Sequence, residues 1–289
     1  MGRRKNAEFW QSERENKATW MQYFFRLQEL SISMFEWKNV PPSIDIRYLE
    51  LVLFRDGYAV FFYEDDLGYL ALPCAIGGKY NVYMIPTDRK AYAPNGFFKT
   101  VDETDSVLIY NNMVHTNSAL EVENYSRRLY ELDRIIDVNA KAQKTPILLS
   151  CDETQRLTLQ NLYMKYDGNQ PFIFGDKSLT PNTIKAISTG APYVADKIYS
   201  LKTQIWNEAL TYLGISNVNI QKKERLITDE VTRNQGGTVA SRYSRLEMRR
   251  QACREINRMF GLNMWCDYRE DYQVVEDDTS TYNGRLEDE

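Results

Sequence analysis

The chain has 289 residues, 43% of them hydrophobic, a formal charge of -4 at neutral pH and a pI near 5.4. That length can bury a substantial core and permits one elongated domain or two ordinary ones. The acidic balance excludes a protein that coats nucleic acid through a uniformly basic surface, and leaves room for a local basic patch. Cys74, Cys151, Cys253 and Cys266 lie far apart without a CxxC pair, and His115 is the sole histidine. Neither a zinc site nor a disulfide framework is expected, and no cofactor; reduced thiols fit better. No run of about 18 apolar residues occurs, and no apolar stretch backs the basic N-terminus, so neither a membrane span nor secretion is expected. The 20 tyrosines suit subunit interfaces, as they suit ordinary cores.

From Lys17 to Trp37 apolar residues recur at Trp20, Phe24, Leu27, Leu30 and Met34, a helical spacing stopped by Pro41 and Pro42. Between Tyr58 and Tyr110 the texture changes to short runs, GYAVFFY, YLALPCAI, YNVYMI and SVLIY, separated by turn signals. These read as several strands of a small sheet or barrel. A second helix carries Val122, Tyr125, Leu129, Leu132 and Ile136 and closes before Pro146. Strand-like runs at 145–150 and 170–174 flank a helical 157–163, a compact α/β insert of roughly forty residues that is too small to stand easily alone. A third helix begins near Pro192 and ends at Gly214. After it comes a charged segment, 219–242, that reads as a polar loop made flexible by Gly236 and Gly237. A fourth helix with Leu246, Cys253, Ile256 and Phe260 ends at Gly261, and an acidic tail follows. Two long helices that leave and return around a small insert imply a stalk with the insert at its far end.

Candidate chemistry is sparse. Nucleophilic catalysis would rest on His115 alone, against the reading of a structural or surface histidine. Gly77-Gly78-Lys79 lacks the rest of a Walker loop, since Pro73 stands where its first glycine belongs and Tyr80 replaces the hydroxyl, so a hairpin turn is expected there. The acids Glu64, Asp65, Asp66 and Asp102, Glu103, Asp105 could serve a metal nuclease or simply occupy solvated turns. Between Lys222 and Arg254, nine basic residues face four acids. Such a stretch fits phosphate contacts, each releasing a counterion, or a solvated helical face. Arg3, Arg4 and Lys5 form a smaller patch with the same two readings. The residues thus favour binding or assembly over catalysis.

Six segments carry a resemblance: FEWKNVPP (35–42), NAKAQKTPIL (139–148), APYVADK (191–197), WNEALTYLGI (206–215), KKERLITDEV (222–231) and ACREINRMFGLN (252–263). In this order they resemble the portal protein, also called upper collar or head-tail connector protein, of small short-tailed bacteriophages of the Bacillus-phage connector type. The stretch from about 60 to 115 matches poorly, and the acidic C-terminus departs most.

The resemblance implies an α+β portal architecture. It assigns an N-terminal helix with a β-rich, SH3-like wing to 1–118, stem helices to 119–144 and 191–214, and a clip to 145–190. A tunnel-loop region falls at 215–245, and a wing helix with the C-terminal crown or tail at 246–289. It further implies a dodecameric, non-enzymatic ring at one capsid vertex, assembled in the host cytoplasm and retained in the virion. Double-stranded DNA would enter and leave through this ring, whose partners would be the major capsid protein, a packaging ATPase and a lower collar or tail protein. Lys197, Lys202, Lys222, Lys223, Arg225, Arg233 and Arg242 become candidates to face the DNA. Arg3, Arg4 and Lys5 occupy the place where some members contact a packaging RNA, or the motor. The alternative is a phage DNA-binding or replication accessory protein; no metal site is expected under either reading.

Overall fold

A computed structural model describes the backbone of residues 2–142, 147–149, 184–186, 192–216 and 228–269, and side chains within 17–140, 192–216 and 236–269. The chain divides into two compact units, residues 1–20 with 127–206, and residues 21–126 with 207–289. The fold is mixed: five helices and ten short antiparallel strands are found among the described residues.

Helix α1 runs from Gly2 to Ile32, and α3 from Ala119 to Ala142. Helix α4 spans Ala195–Leu213. In the first unit, α3 and α4 are antiparallel. Asp133 pairs with Lys202, while further on the Asn139 side-chain amide donates to Pro192 O at 2.9 Å and its oxygen accepts from Val194 N at 3.1 Å. Those two bonds satisfy backbone groups just before α4, so Asn139 fixes the start of that helix. Leu129, Leu132, Ala195 and Ile205 are buried, and Arg134 of α3 donates to Thr19 of α1 at 2.8 Å. Strands β8 (Ile147–Leu149) and β9 (Ile184–Ala186) pair antiparallel. The expected first strand of the insert is met by β8; its helix at 157–163 and strand at 170–174 lie outside the described residues.

The second unit holds two three-stranded antiparallel sheets. One is ordered β3 (Gly68–Leu72), β2 (Tyr58–Glu64), β7 (Ser106–Tyr110); the other β4 (Cys74–Tyr80), β5 (Pro86–Tyr92), β6 (Phe98–Asp102). Val60, Phe62 and Leu108 from the first meet Cys74, Ala91 and Val101 from the second in one core. Pro73, which cannot donate to a ladder, separates β3 from β4 and lets the chain change sheets. The strands therefore form a two-sheet module without barrel closure. Gly77 and Gly78 sit inside β4 at a register irregularity, not in the turn. Gly78 has φ +85, and a Cβ there would lie 2.5 Å from an Asp88 carboxylate oxygen. The turn itself is YNVYMI, read above as a strand. Asn81 Oδ1 accepts from Tyr83 N at 2.9 Å and from Ile85 N at 3.0 Å, an asparagine staple that competes with ladder pairing.

Three further elements depart from the local reading. Helix α2 (Ile46–Asp56) starts at the Asp45 cap, whose side chain accepts from Tyr48 N, and stops at Gly57 with φ 89. Strand β1 (Phe35–Lys38) follows α1, which ends at Ile32 and not at Trp37; its partner β10 (Trp265–Tyr268) lies far away in sequence. Helix α5 spans Thr228–Phe260, so the segment read as a loop from 215 to 245 is helical from Thr228 onward and passes through Gly236 and Gly237. Its inward stripe is Thr238, Arg245, Arg249, Ala252, Cys253 and Ile256, all buried. The spacing is helical, but half of the stripe is polar, which hides it from an apolar periodicity. The two glycines cost the helix about 1 kcal/mol each relative to alanine. At Gly237 an added Cβ would stand 3.3 Å from Thr211 of α4, a close helix contact that favours the small residue.

Candidate functional site

The basic residues of α5 are sorted by what they touch. Arg249 is 2% exposed at its side chain and Glu50 of α2 is 1% exposed. The pair is bidentate, Nε to Oε1 at 2.8 Å and Nη2 to Oε2 at 2.6 Å. Trp37 of β1 donates its indole N–H to the same Oε1 at 2.8 Å. Arg249 Nη1 donates to Asn111 O and Arg245 O, both at 3.0 Å, and the guanidinium lies 4.0 Å from the Phe35 ring. A buried ion pair is tolerable only when its remaining donors and lone pairs are matched, and this one joins α5, α2, β1 and the segment just after β7 in doing so.

Arg245 is also buried, donating to Ser241 O at 3.3 Å and Ser118 Oγ at 3.5 Å, with its guanidinium 4.8 Å from the Tyr212 ring. Burial pulls its pKa below the usual arginine value, partly opposed by Tyr212. Arg250 pairs with Asp267 at 2.8 Å, and Arg254 with Glu247 at 2.6 Å. Arg242 donates Nε to Gly214 O at 3.0 Å and Nη2 to Ser216 Oγ at 2.8 Å, and stacks 4.0 Å from the Tyr268 ring centroid. The basic run inside α5 is therefore largely an internal device for fastening α2, α4, β1 and β10 to one helix.

The other candidate residues fall differently. Lys197 is exposed and makes no ion pair among the described residues. Lys202 sits 2.5 Å from Asp133, each about a fifth exposed. Arg233 lies in α5, and Arg3, Arg4 and Lys5 lie in α1, with their side chains outside the described set. Lys222, Lys223 and Arg225 lie outside the described residues altogether. Lys197 and Lys202 belong to the first unit and Arg242 to the second.

Of the remaining chemical candidates, Asp65, Asp66 and Glu103 are exposed in turns and several others are held by structure. Glu64 pairs with Lys99 at 2.5 Å, while Asp102 and Asp105 cap the β6–β7 turn, with Thr104 N donating to Asp102 and Asp102 N to Asp105, both at 2.7 Å. The Thr104 hydroxyl, which donates to the same Asp102 oxygen at 2.6 Å, and the Thr104 amide hold the Asp102 carboxyl below the usual carboxylate range. His115, at φ 61, stacks on Tyr110 with 3.6 Å between centroids, and burial lowers its pKa. Burial pushes the Cys74 and Cys253 thiols up to about 12 and Cys266 higher still, so they stay protonated and unreactive. Among the described residues no three His, Cys, Asp or Glu side chains are grouped as metal ligands would be. None of the described helices is long and apolar enough to cross a membrane.

Local pattern also missed the tip of the β4–β5 hairpin. Val82, Tyr83 and Met84 are 89%, 81% and 81% exposed on a turn stiffened by Asn81. Three consecutive exposed apolar residues on a stapled turn are the signal that could have found it.

Small antiparallel sheets combined with long helices are the arrangement of portal proteins. The chain is similar to a chain in the portal and tail of native bacteriophage P68, at 16% identity and a TM-score of 0.50, covering 96% of this chain and 98% of that one. A portal protein of the HK97 family from Corynebacterium diphtheriae aligns at 9% identity and a TM-score of 0.46, over 87% of this chain and 94% of that one. The family model Phage Connector (GP10) matches residues 4–273. The chain belongs to that family of phage portal, or head-tail connector, proteins.

Proposed function

We propose that the chain assembles into a closed ring of about twelve copies at one vertex of a phage head, the conduit through which double-stranded DNA is packaged and ejected. The observation that carries this is the family match over residues 4–273. No catalytic step is assigned to it. Its place is the virion, after assembly in the host cytoplasm. The wing, with Val82–Met84 exposed at its tip, suits contact with the major capsid protein. The clip, residues 145–190, would meet the packaging ATPase and later the lower collar or tail protein.

The mechanism is passive. A ring repeats each lumenal cation in every copy, so a single lysine becomes a belt that meets phosphates at any helical phase without reading a base. Weak and sequence-blind contact lets the duplex slide. Lys197 is a described residue that suits this role; Lys222, Lys223, Arg225 and Arg233 are the further candidates. Lys202 and Arg242 stay out of that set because their charges are engaged inside the chain. Five arginines of α5 are likewise engaged within the chain, which leaves fewer of that helix's cations to meet a duplex, and a duplex gripped by few cations is one that can move.

Negative-stain electron microscopy of the purified full-length chain tests the reading: rings with about twelve-fold symmetry are expected. A uniform population of monomers or small oligomers that bind free duplex tightly would instead establish a DNA-binding accessory protein. Deleting residues 1–5 should abolish binding of a packaging RNA, and unchanged binding would remove that contact.

A further inference from the structure

We infer that Arg242 is the positioning residue that fixes where the chain leaves α4, ahead of Lys222, Lys223 and Arg225. Three observations meet there. Helix α4 ends in a left-handed Gly214, φ +85, with Gly214 N donating to Thr211 O at 3.0 Å and Ile215 N to Leu210 O at 2.9 Å. A Cβ at Gly214 would lie 2.8 Å from both the N and Cα of Arg242, so the end of α4 is pressed against the backbone of α5. From that contact the Arg242 side chain turns back and takes the two acceptors just past the helix end, Gly214 O and Ser216 Oγ.

The guanidinium is also held from the side of β10. Its carbon lies 4.0 Å from the Tyr268 ring centroid, and Tyr268 is in turn paired with Phe35 across the β1–β10 ladder, their rings 6.1 Å apart edge to face. A planar fork that donates twice from one plane and stacks on a ring with its face is what arginine supplies and lysine does not. The end of α4, the middle of α5 and β10 are thereby tied at one side chain. Lys222 comes only six residues after Ser216, so this tie sets the point from which every copy delivers its basic segment. That functional half rests on the portal reading; the anchor itself does not.

The test uses the full-length chain with Arg242→Lys, Arg242→Ala, Tyr268→Phe and Tyr268→Leu. Hydrogen exchange at the Gly214 and Ile215 amides should accelerate about tenfold in both Arg242 variants, less in Tyr268→Leu, and not in Tyr268→Phe, which keeps the ring. In assembled rings, Arg242→Lys should lose DNA retention as fully as Arg242→Ala, although it keeps the charge. Wild-type retention in Arg242→Lys, with loss in Arg242→Ala, would overturn the proposal by making Arg242 a phosphate contact. Unchanged amide exchange in both would overturn it by removing the anchor. If the wild-type chain forms no ring, the portal reading falls, while the amide exchange still decides the anchor.

Discussion

Helices α4 and α5 both carry basic residues: most described arginines of α5 are engaged within the chain, whereas one of the two lysines of α4 is exposed. On α5, Arg242, Arg245, Arg249, Arg250 and Arg254 each find a carboxylate, carbonyl, hydroxyl or aromatic face within the chain. On α4, Lys197 stands in solvent, and Lys202 is shared with one acid of α3. The contrast follows from side-chain chemistry. Guanidinium is planar, weakly hydrated and rich in directed donors, which suits buried fastening; ammonium is strongly hydrated and suits an exposed, mobile charge. A count of basic residues therefore overstates the charge available to DNA.

The fastened side breaks most severely at its centre. Glu50→Ala leaves Arg249 buried without its carboxylate and Trp37 without its acceptor, so the second unit should lose about 3–5 kcal/mol. Urea unfolding of the full chain, with the midpoint and slope both fitted, reads this directly. A loss below about 1 kcal/mol, as for a surface pair, would mean that the Glu50–Arg249 contact is not the fastening that its geometry indicates.

On the other side, the Asp133–Lys202 pair is partly buried and should be worth roughly 1 kcal/mol or less. A double-mutant cycle with Asp133→Asn and Lys202→Met measures that coupling. Zero coupling would show that Asp133 is not what holds the Lys202 ammonium, and so blur the contrast between the helices.

How much of this could be read from the sequence differs in the same way. Helices α3 and α4 were legible because Val122, Leu129 and Leu132 on α3, and Ile205, Ala209 and Leu213 on α4, repeat at helical spacing and are buried. Gly214 and Gly261 marked true ends, each with positive φ. The N-terminal part of α5 was not legible, because its inward positions are Thr238, Arg245 and Arg249, and their fit depends on partners such as Glu50, 199 residues away. Strand β1 was hidden for the same reason, its ladder partner being β10. Helix α2 had readable signals in Asp45 and Gly57, overlooked beside the stronger Pro41-Pro42 break. For the site, residue type showed which groups were cationic; direction, which decides whether a cation meets phosphate or carboxylate, is set by tertiary packing alone.

His115 gives a smaller test on the fastened side. Stacked on Tyr110 and partly desolvated, it holds its proton less readily than the ordinary histidine value of 6.5. Its folded pKa is depressed, so as pH falls through 6.5 the unfolded chain binds the proton first and stability declines. Above that pH the group contributes no such penalty. His115→Phe keeps the stack and should flatten the fall in stability as pH drops below about 6.5. An unaltered pH profile would show that the ring is not desolvated enough to matter.

Lys197→Ala should have the smallest effect on folding, within about 0.5 kcal/mol, because an exposed side chain with no ion pair among the described residues leaves nothing unpaired there. Its consequence should appear only in the assembled ring, where a phosphate contact per copy is lost and DNA association should depend less steeply on salt. Lys197→Arg, which keeps the charge, should behave as wild type there. That pattern is the reverse of the one expected at Arg242, where the lysine variant fails. If Lys197→Ala instead destabilised the fold, the lysine would be another fastener, and the next candidates to meet DNA would be Lys222, Lys223, Arg225 and Arg233.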